Sequence, residues 1–239
     1  MKLALGSAQF GMHYGISNSS GIVSEEHIHQ ILECALLNDI NLIDTAIDYG
    51  DSELRLGAHV DNKFRVVTKL PFCPEDTEDI LEWALLQVEG SKKRLGVESL
   101  YGLLLHRPEQ LLGNSGSKLW DAMTELKIQG HVKRIGISIY NPSELEAISP
   151  KFSLDLVQSP FNVFDTRLHS SGWLEKLHQN STEIHVRSIF LQGLLLMSLH
   201  EIPKIFLPWK KSFQAWHDWL ASNSLSPLAG CIRFIDIFN

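Results

Sequence analysis

The sequence predicts an α/β chain of the (β/α)8, or TIM, barrel class. Three observations lead there. Short apolar runs alternate with longer amphipathic stretches from one end of the chain to the other, the pattern of repeated strand-and-helix units around a parallel sheet. No G-x-G-x-x-G follows the first run, so the usual dinucleotide fingerprint of an open doubly wound sheet is missing. Polar side chains recur where apolar runs give way to loops, and a closed barrel places its chemistry at the carboxyl ends of its strands.

Seven runs read as strands: LALG near Leu3, NLID near Leu42, RVVTK near Val66, YGLLLH near Leu104, KRIGIS near Ile135, LDLVQS near Leu156 and IHVRSIF near Val186. Helix signals lie between them. Ser24 followed by Glu25 and Glu26 offers a capping oxygen and two carboxylates to a helix amino end, whose free N–H groups and dipole favour them. Ile28, Ile31, Leu32, Ala35 and Leu36 then recur at helical spacing, as do Ile80, Trp83, Ala84 and Val88. Asn141-Pro142-Ser143-Glu144 predicts a further start, with Asn at the cap, Pro at the first helical position and Glu at the third.

At 239 residues the chain reads as a single barrel domain over 1–239, long enough to bury on the order of 70–75% of its unfolded surface without a metal or disulfide. Its 44% hydrophobic and 21% charged residues are those of an ordinary globule. A net charge of −7 lacks the basic field that nucleic acid or an anionic membrane surface requires. Cys34, Cys73 and Cys231 are few, odd in number and far apart, which fits a reducing compartment. The amino-terminal apolar piece breaks at Gly6, too soon for a signal-peptide core. A cytoplasmic location, with neither nucleic acid nor membrane as partner, is the expectation.

Four polar residues follow consecutive runs: Asp44 and Tyr49 in NLIDTAIDYG, Lys69 in FRVVTKLPF, and His106 in LYGLLLHRPE. Singly each has an ordinary reading: a turn cap, a packed aromatic, a solvated lysine, a loop histidine. Together, an acid, a phenol, an ammonium and an imidazole at one mouth are equipped for proton transfer. His27 and His29 lie two apart on a helix and face different ways, and no G-x-S-x-G elbow occurs, which argues against a metal hydrolase or a serine hydrolase.

IDTAIDYGDSELRLG, VTKLP and LLLHRPE resemble segments of the aldo-keto reductases, barrel enzymes that reduce carbonyls with a nicotinamide cofactor. The resemblance runs from Leu3 to about Gly230. It implies hydride transfer from NADPH, with NADH the alternative, to a small-molecule aldehyde or ketone; GSAQFGMHYGISN near the start adds a sugar-derived carbonyl. No side chain supplies a hydride. Tyr49 becomes the general acid for the carbonyl oxygen, with Lys69 expected to lower its pKa from about 10. Asp44 holds Lys69 charged, and His106 donates a hydrogen bond to the substrate oxygen.

The resemblance also implies a cofactor wall of Gly6, Ser7, Asp44, Ser138, Gln158, Arg187 and Ser188. Ser138 and Gln158 match the pair that binds the nicotinamide amide, while Ile139 stands where many members carry Asn. Arg187-Ser188 aligns with a Tyr-Ser step whose ring stacks on nicotinamide, so a guanidinium plane replaces the ring or the stacking is lost. The apolar loop from Gly193 to Pro208 is expected to border the substrate mouth. Members continue with an eighth strand and a final helix where this sequence ends in FIDIFN, and the segment from Arg233 reads either as the end of a helix or as a strand mimic. The expectation is a barrel lacking the eighth strand and final helix, with open edges, monomeric or homodimeric. Its alternative is a truncated, non-catalytic remnant with impaired cofactor binding.

Overall fold

The computed structural model describes residues 2–60 and 63–238; Met1 and Asn239, at the ends of segments read above, lie outside them. Its strands are β1 (Leu5–Gly6), β2 (Leu42–Asp44), β3 (Arg65–Leu70), β4 (Leu100–Leu105), β5 (Val132–Ser138), β6 (Leu156–Pro160) and β7 (Glu183–Arg187). All seven apolar runs form strands. They make one sheet in the order β1-β2-β3-β4-β5-β6-β7, each strand parallel to the next. This is a curled half-barrel of the (β/α) type lacking the eighth strand.

The helices are α1 (Ala8–Gly11), α2 (Glu25–Leu37), α3 (Ser52–Gly57), α4 (Ile80–Leu95), α5 (Gly116–Ile128), α6 (Ser143–Ile148), α7 (Arg167–Ser170), α8 (Trp173–Gln179), α9 (Lys210–Ser222) and α10 (Pro227–Asp236). Ser24 caps α2 by accepting from the His27 N–H. Helix α6 begins one residue later than the sequence suggests, yet its hydrogen bonds are those of a capping box. Asn141 Oδ1 accepts from Ser143 N at 3.1 Å, and the Glu144 carboxylate accepts from Asn141 N at 2.6 Å. The segment from Arg233 finishes α10. Among the described residues no helix is long and apolar enough to cross a membrane, and no cluster of three or more His, Cys, Asp or Glu is set to hold a metal.

Alternation along the strands divides the core in two. Outward-facing Ile43, Val66, Leu103, Ile137 and Val157 join the helical stripes, Ile28, Leu32, Ala84 and Val88 included, in the larger cluster. Inward-facing Leu42, Val67, Leu104 and Leu156 form a small apolar layer inside the curl of the sheet. Gly136 is obligatory beside it, because a Cβ there would lie 1.7 Å from the Leu156 carbonyl oxygen.

Candidate active site

Each member of the inner layer is followed two residues later by a polar group on the same face, one step nearer the carboxyl end of its strand. Leu42 leads to Asp44, Val67 to Lys69, Leu104 to His106 and Leu156 to Gln158. The period of two that builds the apolar floor therefore delivers the polar set to the mouth. Lys69, whose side chain is 0% exposed, donates from Nζ to Asp44 Oδ1 at 2.8 Å and to the Thr45 carbonyl at 2.8 Å. Gln158 Nε2 donates to the same Asp44 oxygen at 2.6 Å, and its Oε1 accepts from Ser138 Oγ at 3.0 Å.

Tyr49 lies beyond β2, on the loop that leads into α3. Its ring centroid is 5.0 Å from Lys69 Nζ and 5.8 Å, edge on, from the His106 ring. His106 Nδ1 faces Asp48 Oδ2 at 3.4 Å. Two glycines make this approach feasible. A Cβ on Gly11 would fall 2.0 Å from the Tyr49 carbonyl oxygen, and Gly50, at φ +55°, would place one 2.4 Å from the Gly11 oxygen. The loop is thus pressed backbone to backbone against the end of α1. Arg55 ties the same region together by donating to the Phe10 and Val23 carbonyls and to Glu25.

Burial governs the ionisation of these groups. It pushes the Tyr49 phenol well above its ordinary value; the Asp44 charge adds to this, and Arg187 opposes it. The expectation that Lys69 makes Tyr49 more acidic is corrected here. The ammonium is paired with Asp44 and lies toward the face of the ring, where it meets the quadrupole, and burial of the phenol outweighs it. Lys69 itself is pulled below the usual lysine value by burial, against the pull of Asp44. Burial and the Lys69 charge lower His106, with Asp48 acting the other way.

A buried Asp–Lys pair beneath a tyrosine and a histidine, on consecutive strands of a parallel curled sheet, is the arrangement that the sequence motifs anticipated. The model of the aldo/keto reductase family matches residues 2–236. The chain belongs to the aldo/keto reductase family. Its fold is shared with a candidate aldo-keto reductase of Pseudomonas aeruginosa, at 24% identity and TM-score 0.65, covering 83% of this chain and 74% of that one. Glycerol dehydrogenase of Gluconobacter oxydans aligns over 99% of this chain and 79% of its own, at 22% identity and TM-score 0.74. An aldo-keto reductase of Bacillus halodurans in its holo form aligns over 85% and 66%, at 19% identity and TM-score 0.68. Among curated proteins, none matches the sequence.

The remaining predicted positions are disposed unequally. Gly6 is exposed and a Cβ there would meet nothing within 4 Å, which leaves open room at the carboxyl end of β1. Ser7 is fully buried and turned away from the mouth; its hydroxyl donates to the Asp44 carbonyl at 3.0 Å and accepts from Ser52 Oγ at 2.8 Å. Arg187 ends β7 with Cζ 4.4 Å from the Tyr140 ring centroid. Ser188 sits at φ 59°, followed by Leu191 at 48° and Gln192 at 54°, a run of left-handed non-glycine residues of the strained kind found at functional loops. Asn162 Nδ2 holds the Ser188 carbonyl at 3.1 Å.

The Gln192 carbonyl accepts from Ile16 N and Ser17 N, so the loop after β7 and the loop after α1 support each other beside the site. Tyr140 and Asp48 carry no motif that singles them out in the sequence, although each lies within two residues of a site position or strand end. Two cavities elsewhere, of about 450 and 630 Å³, are lined by none of the residues named for the site.

Proposed function

We propose that this chain reduces an aldehyde or ketone by hydride transfer from a nicotinamide cofactor, with Tyr49 as the proton donor. The observation that carries this reading is the fully buried Lys69, paired with Asp44 and lying 5.0 Å from the Tyr49 ring centroid. NADPH, the cofactor that the family resemblance favours over NADH, supplies the hydride when bound. The open strand end at Gly6 and the amide and hydroxyl of Gln158 and Ser138 fit its carboxamide end, with Ser188 at the rim. The Ser7 hydroxyl takes part only through the backbone that it fixes.

Tyr49 stays protonated through neutral pH because burial holds its proton. It gives that proton to the carbonyl oxygen as negative charge develops there. Lys69 stabilises the phenolate left behind, and solvent reprotonates it. His106, kept neutral by burial, donates a hydrogen bond to the same oxygen. Carbonyl, reduced cofactor and one proton become alcohol and oxidised cofactor. The substrate is a small carbonyl compound, sugar-derived ones included, and the setting is a reducing cytoplasm, which suits three cysteines without disulfides. The active form is a monomer or homodimer.

The test pairs binding with turnover. Quenching of the six tryptophans by NADPH should saturate in the micromolar range, and NADPH should be consumed with members of a panel of aldehydes, ketones and keto-sugars. No saturation at millimolar cofactor would instead support a non-catalytic barrel.

A further inference from the structure

Charges around the mouth are mostly matched. Lys69 has Asp44, and Arg167 has Asp165 at 2.7 Å. Arg187 has no carboxylate within ion-pair distance among the described residues, although its charge reaches Asp165, whose carboxyl is already engaged by Arg167; it is half-buried at the end of β7. Arg107 also lacks one, but it is exposed and water serves it. Of the Arg187 N–H donors only two are engaged: Nη2 donates to the Ile139 carbonyl at 2.9 Å, and Nη1 to Ser188 Oγ at the long distance of 3.5 Å. The Tyr140 ring beneath the guanidinium recovers part of its lost hydration. Those contacts fix the plane of the group without neutralising it. Its charge is felt at the reaction centre, where it acts on both Lys69 and Tyr49.

An oriented guanidinium with no carboxylate bonded to it is built for a planar anion with two oxygens, which it can take through parallel hydrogen bonds. We propose that Arg187 determines specificity by binding a carboxylate of the substrate, so that the substrate class is a carbonyl compound carrying a carboxylate, an oxo acid. The proposal rests on the carbonyl-reduction reading and deepens it. The carboxylate passes through the reaction unchanged: the carbonyl carbon gains the hydride, its oxygen gains the Tyr49 proton, and the acid group serves as the handle. This assignment departs from the cofactor-stacking role that the family resemblance implies for position 187.

The probes are phenylglyoxylate and its methyl ester, which differ in charge and in the electrophilicity of the carbonyl; the second difference is the same in wild type and variant and drops out when their ratios are compared. Each is measured for kcat/KM with NADPH, and for its dissociation constant with NADP+ present, by tryptophan fluorescence. The ratio between the two probes cancels any loss of folded protein. In dissociation constants wild type should favour the acid by about 10- to 100-fold, the range for a hydrogen bond to a charged group, and its acid-over-ester ratio of kcat/KM should exceed that of Arg187→Met by a similar factor. Arg187→Lys should keep part of the preference. No preference for the acid in wild-type binding, or both ratios unchanged in Arg187→Met, overturns the proposal; so does a Met variant that weakens NADPH binding while the ratios stand. If neither probe is reduced but the acid still binds more tightly through Arg187, the carboxylate site stands and its place in a reduction falls. Reduction of both probes with an acid-over-ester ratio that Arg187→Met leaves unchanged does the reverse: carbonyl reduction stands, and the carboxylate handle falls.

Discussion

An ammonium whose side chain is 0% exposed must be kept charged by its neighbours, and Lys69 has Asp44 and the Thr45 carbonyl, each at 2.8 Å, to do so. Lys69→Met would leave the Asp44 carboxylate unpaired. Breaking a buried pair costs roughly 3–5 kcal/mol; since Asp44 keeps 20% of its side chain exposed, about 2–3 kcal/mol of stability should be lost. Asp44→Asn added to Lys69→Met should restore part of this in urea titrations, whereas a double variant no more stable than the single one would show that the pair is not coupled. His106 carries a pH dependence of its own. Its folded-state pKa is lowered, so the unfolded chain binds the proton first; stability present above about pH 6.5 is lost as the pH falls below it. His106→Gln should flatten that part of the pH profile, and an unaltered slope would assign it to other groups. Asp44, Lys69 and His106 stood out in the sequence because each lies at or beside the end of a strand run, and Tyr49 because it lies in the loop that follows one. The ionisation of Tyr49 was not legible there, because burial depends on what packs around it.

Strands were legible because every inner or outer run is apolar and short, and helices because Ser24, Asn141 and the spaced aliphatics mark starts and faces. What joins the elements was not. In the sequence Glu53 is merely an acidic residue near a helix start. Folded, it is 2% exposed and accepts from Thr68 Oγ1 at 2.5 Å on β3 and from Ser91 Oγ at 3.2 Å and Arg94 Nε at 2.8 Å on α4. One carboxylate thus fastens α3 to both neighbours, and α3 follows directly on the Tyr49 loop. Glu53→Ala leaves two buried hydroxyls and a part-exposed Arg94 without their acceptor and should cost about 1–3 kcal/mol, the buried-pair figure reduced because water can reach the guanidinium. Chemical denaturation would reveal it, and a loss below about 1 kcal/mol, the size of an ordinary surface effect, would refute the fastening role. The left-handed run at Ser188, Leu191 and Gln192 was equally hidden, since no glycine stands at those positions to signal it.

At the scale of the molecule, the sheet order follows the chain order, which the alternating sequence did foretell. The mouth draws its groups from β2 to β7, so a bound cofactor would bridge strands that are far apart in sequence. NADPH at about 100 times its dissociation constant should stabilise the fold by about 2.7 kcal/mol and raise Tm by roughly 5–10 °C for a chain of this length. No shift at saturating NADPH would deny that a cofactor site exists. The proposed carbonyl reduction requires a protonated Tyr49 that delivers its proton to a carbonyl oxygen beside Lys69. The most direct measurement is kcat of Tyr49→Phe with saturating NADPH and a carbonyl substrate that wild type reduces. A fall of at least about a hundredfold, with NADPH still bound, is the predicted result; a turnover equal to that of wild type would contradict it.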